Sequence, residues 1–301
     1  AQSQPGGGTC SGTTNKGIPI TLPCPDAAVS KVDPSGNQVW GTLLGGPTAD
    51  IGTALAVDTD GNVLLTGSTA GQFPTTPGAA IESSASATAF AAKISSDGAK
   101  ILYSTYLPDS VGASSVAAVD AGGSAYVAGK TSTGRVFVLK LSPDGSQIGY
   151  NVILGASGAI AITGITVDRA GNAIVAGQTT SSDFPVTPDA FQQHLNGSQN
   201  CFVVRLDPAG NILSSTYFGG SGSDRPSSVA VDSAGNIDLA GSTSSLDLPT
   251  TPGTMQPTAI VPLWNSASPA GFVAQVGPDG GSLKWASYVM SVDFQVAGGN
   301  Y

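Results

Sequence analysis

At 301 residues with 40% hydrophobic content, the chain can bury a large core and is too regularly apolar to be disordered. Only 10% of its residues are charged, 11 Lys and Arg against 20 Asp and Glu, for a formal net charge of −9. That balance excludes neutralisation of a phosphate backbone, and no apolar run approaches the ~20 residues of a membrane-spanning helix, so neither nucleic acid nor a bilayer span is expected.

Residues 1–16 are rich in Gly, Ser and Thr and are expected to form a flexible N-terminal arm ahead of a single domain over 17–301. Ile18 to Leu22 is the first strand candidate. A hairpin follows, Ala28 to Val32 and Gln38 to Leu44, turning at Asp33-Pro34-Ser35-Gly36, where Pro sets φ and Gly permits a positive φ. The same phrase returns at Lys93-Ile94-Ser95-Ser96-Asp97-Gly98, Lys140-Leu141-Ser142-Pro143-Asp144-Gly145, Arg205-Leu206-Asp207-Pro208-Ala209-Gly210 and Gln275-Val276-Gly277-Pro278-Asp279-Gly280. A second phrase interleaves with it, an apolar pair ending in Asp, a short turn, another apolar run, then Gly: Val57-Asp58 to Gly67, Val119-Asp120 to Gly129, Val167-Asp168 to Gly177 and Val231-Asp232 to Gly241. Its Asp residues stand 62, 48 and 64 positions apart, room for one small sheet per repeat and too long for most solenoids.

Two hairpins per repeat make four-stranded units over 53–107, 115–154, 161–218 and 228–290, with Val292 to Val296 left as a last strand candidate. Placing Ile18 to Leu22 as strand B and Val292 to Val296 as strand A beside the first hairpin completes a fifth unit and removes open sheet edges. The expected fold is all-β, a β-propeller of four-stranded antiparallel blades, five blades closed by both termini.

The run Leu213-Ser214-Ser215-Thr216-Tyr217-Phe218-Gly219-Gly220, then Val229-Ala230-Val231-Asp232-Ser233-Ala234-Gly235-Asn236, then Gly241 through Leu248-Pro249-Thr250-Thr251-Pro252-Gly253 resembles the bacterial β-propeller repeats of the SBBP type. Partial copies carry Phe73-Pro74-Thr75-Thr76-Pro77 and Phe184-Pro185-Val186-Thr187-Pro188, and the likeness extends over roughly residues 28–290. The second repeat departs, running from Gly129 through Lys130-Thr131-Ser132-Thr133-Gly134 directly into Arg135-Val136-Phe137. The Val-Asp-x-x-Gly-Asn phrase is also similar to the inner hairpin of NHL-type propellers. The resemblance implies extracellular or cell-surface proteins and transfers no catalytic motif, cofactor or metal ligand set.

The residues themselves point the same way. His194 is the single histidine, on a polar loop without a carboxylate or Cys at ligand spacing, so neither a catalytic triad nor a metal centre is expected. Asp58-Thr59-Asp60-Gly61-Asn62 is similar to the start of a calcium loop, but the other copies lose the middle carboxylate, and an Asx turn explains all four. Gly219-Gly220-Ser221-Gly222 lacks the following helix that a phosphate cradle needs. Trp40, Tyr103, Tyr106, Tyr150, Tyr217, Trp285 and Tyr288 recur on outer hairpins and are expected to pack between blades. Trp264 lies in an insertion outside the repeat and is a candidate contact for sugar or a second subunit.

Of three cysteines, Cys10 and Cys24 are a candidate disulfide, pairing of either with Cys201 is equally permitted, and Cys201 is a candidate interaction residue or a small buried hydrophobe. The start at Ala1-Gln2-Ser3 without Met reads as a mature exported product, which places the protein outside the bacterial cell or on its surface. Two functions fit: a non-catalytic scaffold or adhesive propeller with itself as partner, in oligomers or filaments, or a carbohydrate-binding or polysaccharide-acting module that takes surface glycans on the axial face.

Overall fold

The computed structural model describes residues 8–13, 19–108, 111–112, 114–155, 157–259 and 270–289. Blade 1 is the hairpin β3 (Ala27–Val32) and β4 (Gln38–Leu44), preceded by a separate hairpin of β1 (Thr9–Thr13) and β2 (Pro19–Pro23). Blade 2 comprises β5 (Asp50–Val57), β6 (Val63–Thr69), β7 (Ala89–Ile94) and β8 (Ile101–Tyr106). Blade 3 comprises β9 (Ser114–Val119), β10 (Ala125–Lys130), β11 (Val136–Leu141) and β12 (Ile148–Leu154). Blade 4 comprises β13 (Ile160–Val167), β14 (Ala173–Thr179), β15 (Asn200–Leu206) and β16 (Ile212–Phe218), and blade 5 comprises β17 (Asp224–Val231), β18 (Ile237–Thr243), β19 (Ala270–Val276) and β20 (Leu283–Val289). Within each four-stranded blade the strands, A to D in chain order, pair antiparallel with their sequence neighbours.

The all-β propeller architecture is therefore present, with β3 and β4 in the positions of strands C and D. The expected completion of that blade differs on one side. Pro19–Pro23, expected as strand B beside β3, pairs instead with β1, Cys10 opposite Leu22 and Thr9 opposite Pro23. The Cys10–Cys24 disulfide ties β1 to the end of β2, and a local hairpin closed this way costs far less chain entropy than a long-range pairing. Part of the segment expected as a flexible arm is thus a strand. Val292 to Val296 lies outside the described residues.

The repeated phrases acquire physical meaning in the register. Each strand A carries a bulge opposite the Gly that ends the phrase, between Gly52 and Ala54 across from Gly67, and likewise beside Gly177 and Gly241. A Cβ at Gly67, Gly177 or Gly241 would fall 2.1, 2.0 or 2.1 Å from a strand A carbonyl and 2.7 Å from the ring of Phe90, Phe202 or Phe272, so only Gly fits. The Phe-Pro-x-Thr-Pro loops fold back over the outer strands: the backbone N–H groups of Phe73, Phe184 and Leu248 donate to the hydroxyls of Tyr106, Tyr217 and Tyr288 at 2.7, 3.1 and 2.9 Å. Phe73 stacks on Phe90 with centroids 3.8 Å apart, and Phe184 packs on Phe202 at 4.5 Å.

The core lies between sheets rather than within one layer, because blades 2, 3 and 4 each bury both faces against their neighbours. Four apolar clusters mark four seams: Val29 and Leu44 against Leu65 and Phe90, Leu64 and Tyr103 against Val127 and Leu139, Val138 and Tyr150 against Val175 and Phe202, and Ile174 and Phe218 against Leu239 and Phe272.

Candidate functional site: the turn face and its inter-blade bonds

The AB and CD turns of all blades gather at one end of the seams. In each inner turn one Asp organises the backbone: Asp58 Oδ1 accepts from the N–H groups of Asp60 and Asn62 at 3.0 and 2.8 Å, and Oδ2 accepts from Asn62 Nδ2 at 3.1 Å. Asp168 and Asp232 repeat this with Asn172 and Asn236, and Asp120 keeps the two backbone bonds. These are Asx turns, as expected, and among the described residues no three His, Cys, Asp or Glu side chains converge to hold a metal ion.

The second carboxylate oxygen does something further. Lys93, from strand C of blade 2, donates to Asp58 Oδ2 at 2.8 Å and reaches across the seam to the Gly123 carbonyl of blade 3 at 3.1 Å. Arg205 of blade 4 bonds Asp168 Oδ2 at 2.5 Å and donates to the blade 5 carbonyls of Gly235 and Pro278 at 3.3 and 2.7 Å. Blade 3 performs the same task without a cation: the Tyr126 hydroxyl lies 3.0 Å from Asp120 Oδ2 and 3.1 Å from the Gly171 carbonyl of blade 4. Tyr126 pairs across the sheet with Lys140, whose ammonium lies 5.0 Å from the Tyr126 ring centroid, so the bridging group has moved one strand inward.

Burial of Asp58 and Asp168 opposes ionisation, but the bonds from Lys93 and Asn62 and from Asn172 and Arg205 outweigh it and hold both carboxyls below the usual range. Between blades 4 and 5 the turn face opens into a cleft of ≈ 350 Å³ lined by Asp168, Arg169, Arg205, Asp232, Asp279 and the apolar edge of Leu213 and Pro278.

The opposite end of the seams carries buried carboxylates. Asp224 is fully buried, and burial pushes its carboxyl up although Thr243, Ser245, Gly220 and Asn200 all donate to it. Asp50, at the same step of blade 2, is also fully buried and raised first by burial and further by the nearby charge of Asp26. Register places Asp26 where blade 4 has Asn200: Ala27 pairs with Leu44 as Cys201 pairs with Phe218. An amide that donates to Asp224 at 3.0 Å is thus replaced in blade 1 by a second carboxylate.

The residues singled out in the sequence separate widely. Cys10 and Cys24 form a disulfide. Cys201 is fully buried in β15 and burial raises its thiol well above the ordinary range, so it presents no sulfur at the surface. Cys10, within the segment expected as a flexible arm, is held in the disulfide, and the free cysteine is the buried Cys201. His194 is exposed on the loop before β15, its carbonyl accepting from Gln192 Nε2 at 2.9 Å. Trp264 lies outside the described residues. Tyr103, Tyr106, Tyr150, Tyr217 and Tyr288 are buried, whereas Trp285 is 37% exposed.

The bridging residues Lys93 and Arg205 escaped the sequence reading although their signal was present: each copy of the turn phrase starts with a long polar side chain, Lys31, Lys93, Lys140, Arg205 and Gln275. Only the register shows that this step faces the next blade.

A family model described as "Beta-propeller repeat" (SBBP) matches residues 39–74, 147–185 and 215–249. The chain carries SBBP β-propeller repeats in these three segments. Each matched SBBP segment spans an outer strand or its approach, the next blade's A and B strands and the loop beyond, and the second repeat, with its shortened loop, falls outside the matches. No curated protein matches the chain by sequence. Among solved structures, hydrazine synthase of Kuenenia stuttgartiensis is similar at 13% identity and a TM-score of 0.39, over 80% of this chain and 77% of that one. The gluconolactonase XC5397 of Xanthomonas campestris aligns at 12% identity and 0.38, over 95% and 77%. The Dos1 propeller aligns at 11% and 0.44, over 87% and 64%. At these values the likenesses bear on no activity.

Proposed function

We propose that the chain is a non-catalytic, extracellular or cell-surface β-propeller serving as a scaffold or adhesive module. The observation that carries this reading is the use made of the polar groups on the turn face: Asp58, Asp120 and Asp168, with Lys93, Tyr126 and Arg205, are spent on Asx turns and inter-blade bonds. A disulfide within the chain fits an oxidising compartment. The test is turnover against a panel of polysaccharides and esters; activity abolished by His194→Ala would overturn the reading.

A second reading rests on the cleft between blades 4 and 5, whose mixture of carboxylates, Arg169 and an apolar edge suits the hydroxyls and ring face of a sugar. A glycan array separates the two. Specific binding that survives Trp264→Ala and is lost in Asp279→Ala would place a carbohydrate site in this cleft, and no binding favours the scaffold.

A further inference from the structure

Each seam of the propeller is made by the same contact. The strand D residue opposite the long polar side chain of strand C lies over the CD-turn Gly of the next blade: Trp40 over Gly98, Tyr103 over Gly145, Tyr150 over Gly210 and Ser214 over Gly280. A Cβ at these glycines would fall 2.5, 2.3, 2.8 and 2.9 Å from that residue, so the fit is close each time. At the first seam the contact is also polar: Trp40 Nε1 donates to the Ser96 carbonyl at 3.1 Å, and Lys31 reaches the same oxygen at 3.4 Å. At the fourth, Arg205 donates to the Pro278 carbonyl, which occupies the position of Ser96 in its own turn.

Two halves of such a seam remain unused. On blade 5, Trp285 stands opposite Gln275, as Trp40 stands opposite Lys31, and is 37% exposed, with Val289 at 41% beside it. On blade 1, a Cβ at Gly36 would meet no described atom within 4 Å, and the face around it presents Val32, Val39 and Leu43 at 61, 57 and 41% exposure. The corresponding face of blade 2, with Phe90, Ile94 and Tyr106, is buried by blade 1. Among the described residues, blade 5 leaves blade 1 uncovered, with both Trp285 and Gly36 open.

We propose that blade 5 of one molecule docks on blade 1 of a second copy, Trp285 lying over Gly36 with its indole N–H donating to the Pro34 carbonyl. The contact continues the seam pattern already made four times inside the chain, so the surface that fits the exposed face of blade 5 is one that every copy carries. It is heterologous, and it extends head to tail unless the rotation closes a ring. This deepens the scaffold reading and rests on it for the use to which an assembly is put.

Complementing variants test it by sedimentation velocity across a wide concentration range. Trp285→Ser installs the residue that blade 4 carries at the same step, and Gly36→Asn keeps a residue that tolerates a positive φ while adding a side chain where the ring must lie. Wild type should form concentration-dependent multimers, and each variant should weaken association by more than about tenfold. An equimolar mixture should stop at a dimer, joining the intact blade 1 face of the first variant to the intact blade 5 face of the second, which also shows that both variants fold. Strictly monomeric wild type, multimers that ignore both substitutions, or a mixture without dimers would each overturn the proposal. Failure here leaves the turnover panel unaffected, and turnover abolished by His194→Ala would remove the scaffold reading while leaving the contact intact.

Discussion

Replacing Arg205 with Met should destabilise the propeller severely although the position touches no candidate ligand residue outside the turn face. The Arg205 and Asp168 side chains are 6% and 10% exposed, and the guanidinium makes three bonds, one to Asp168 and two to carbonyls of blade 5. Breaking a buried ion pair by removing one partner costs about 3–5 kcal/mol. Asp168 keeps three turn donors, from Ala170 N, Asn172 N and Asn172 Nδ2, which places the expected loss near the lower end, about 3 kcal/mol. With a domain stability of about 5–15 kcal/mol, such a loss is a large shift of the urea midpoint at unchanged slope. Arg205→Lys should recover only part of it, since an ammonium cannot span Asp168, Gly235 and Pro278 with a planar fork. A double-mutant cycle with Asp168→Asn should give a coupling of about 2 kcal/mol. A loss below about 1 kcal/mol for Arg205→Met, or a coupling near zero, would refute the assignment of seam cohesion to this group.

Tyr126→Phe should cost about 1.5–3 kcal/mol by the same assay, because it removes a hydroxyl that bridges a carboxylate and the next blade's carbonyl. Asp26→Asn should stabilise the protein at neutral pH by about 1–2 kcal/mol, giving Asp50 the amide donor that Asn200 gives Asp224. The raised carboxyl of Asp50 gives stability that is present at low pH and lost as pH rises through its folded value, so the Asp26→Asn gain should shrink on acidification, measured as melting temperature against pH. Asp58 and Asp168 carry the opposite sign, holding stability above the ordinary carboxyl range that is lost as pH falls through their lowered values. Cys10→Ser with Cys24→Ser should remove about 3 kcal/mol of loop-closure stabilisation from the β1–β2 hairpin, read as faster proteolysis within residues 8–24 with the main melting transition little changed.

The blades were legible because their turns are written in residues with narrow backbone preferences: Pro34, Gly36 and their counterparts fix the hairpins, and Gly67, Gly177 and Gly241 mark the bulges. Aromatic packing between blades was legible for Tyr103 and Tyr150 from their spacing alone. The first hairpin was misplaced because a strand of five residues such as Pro19–Pro23 carries no register of its own, and the disulfide decides its neighbour. The inter-blade bonds were invisible for a different reason. Lys93, Arg205 and Tyr126 do one job from two different strands, so no single alignment column holds it.

The segments that match the repeat model begin at an outer strand and end past the second strand of the following sheet. The stretch that recurs in the matches is therefore a joint between two sheets and not a blade. Copying it delivers, in one stretch of sequence, an outer strand of one sheet and the inner strands of the next. A lineage that lengthens or shortens such a chain by whole copies keeps the two sides of each new boundary descended from one template. Only the strands that complete each sheet, carrying Lys93 or Arg205, must then be retuned by later substitution.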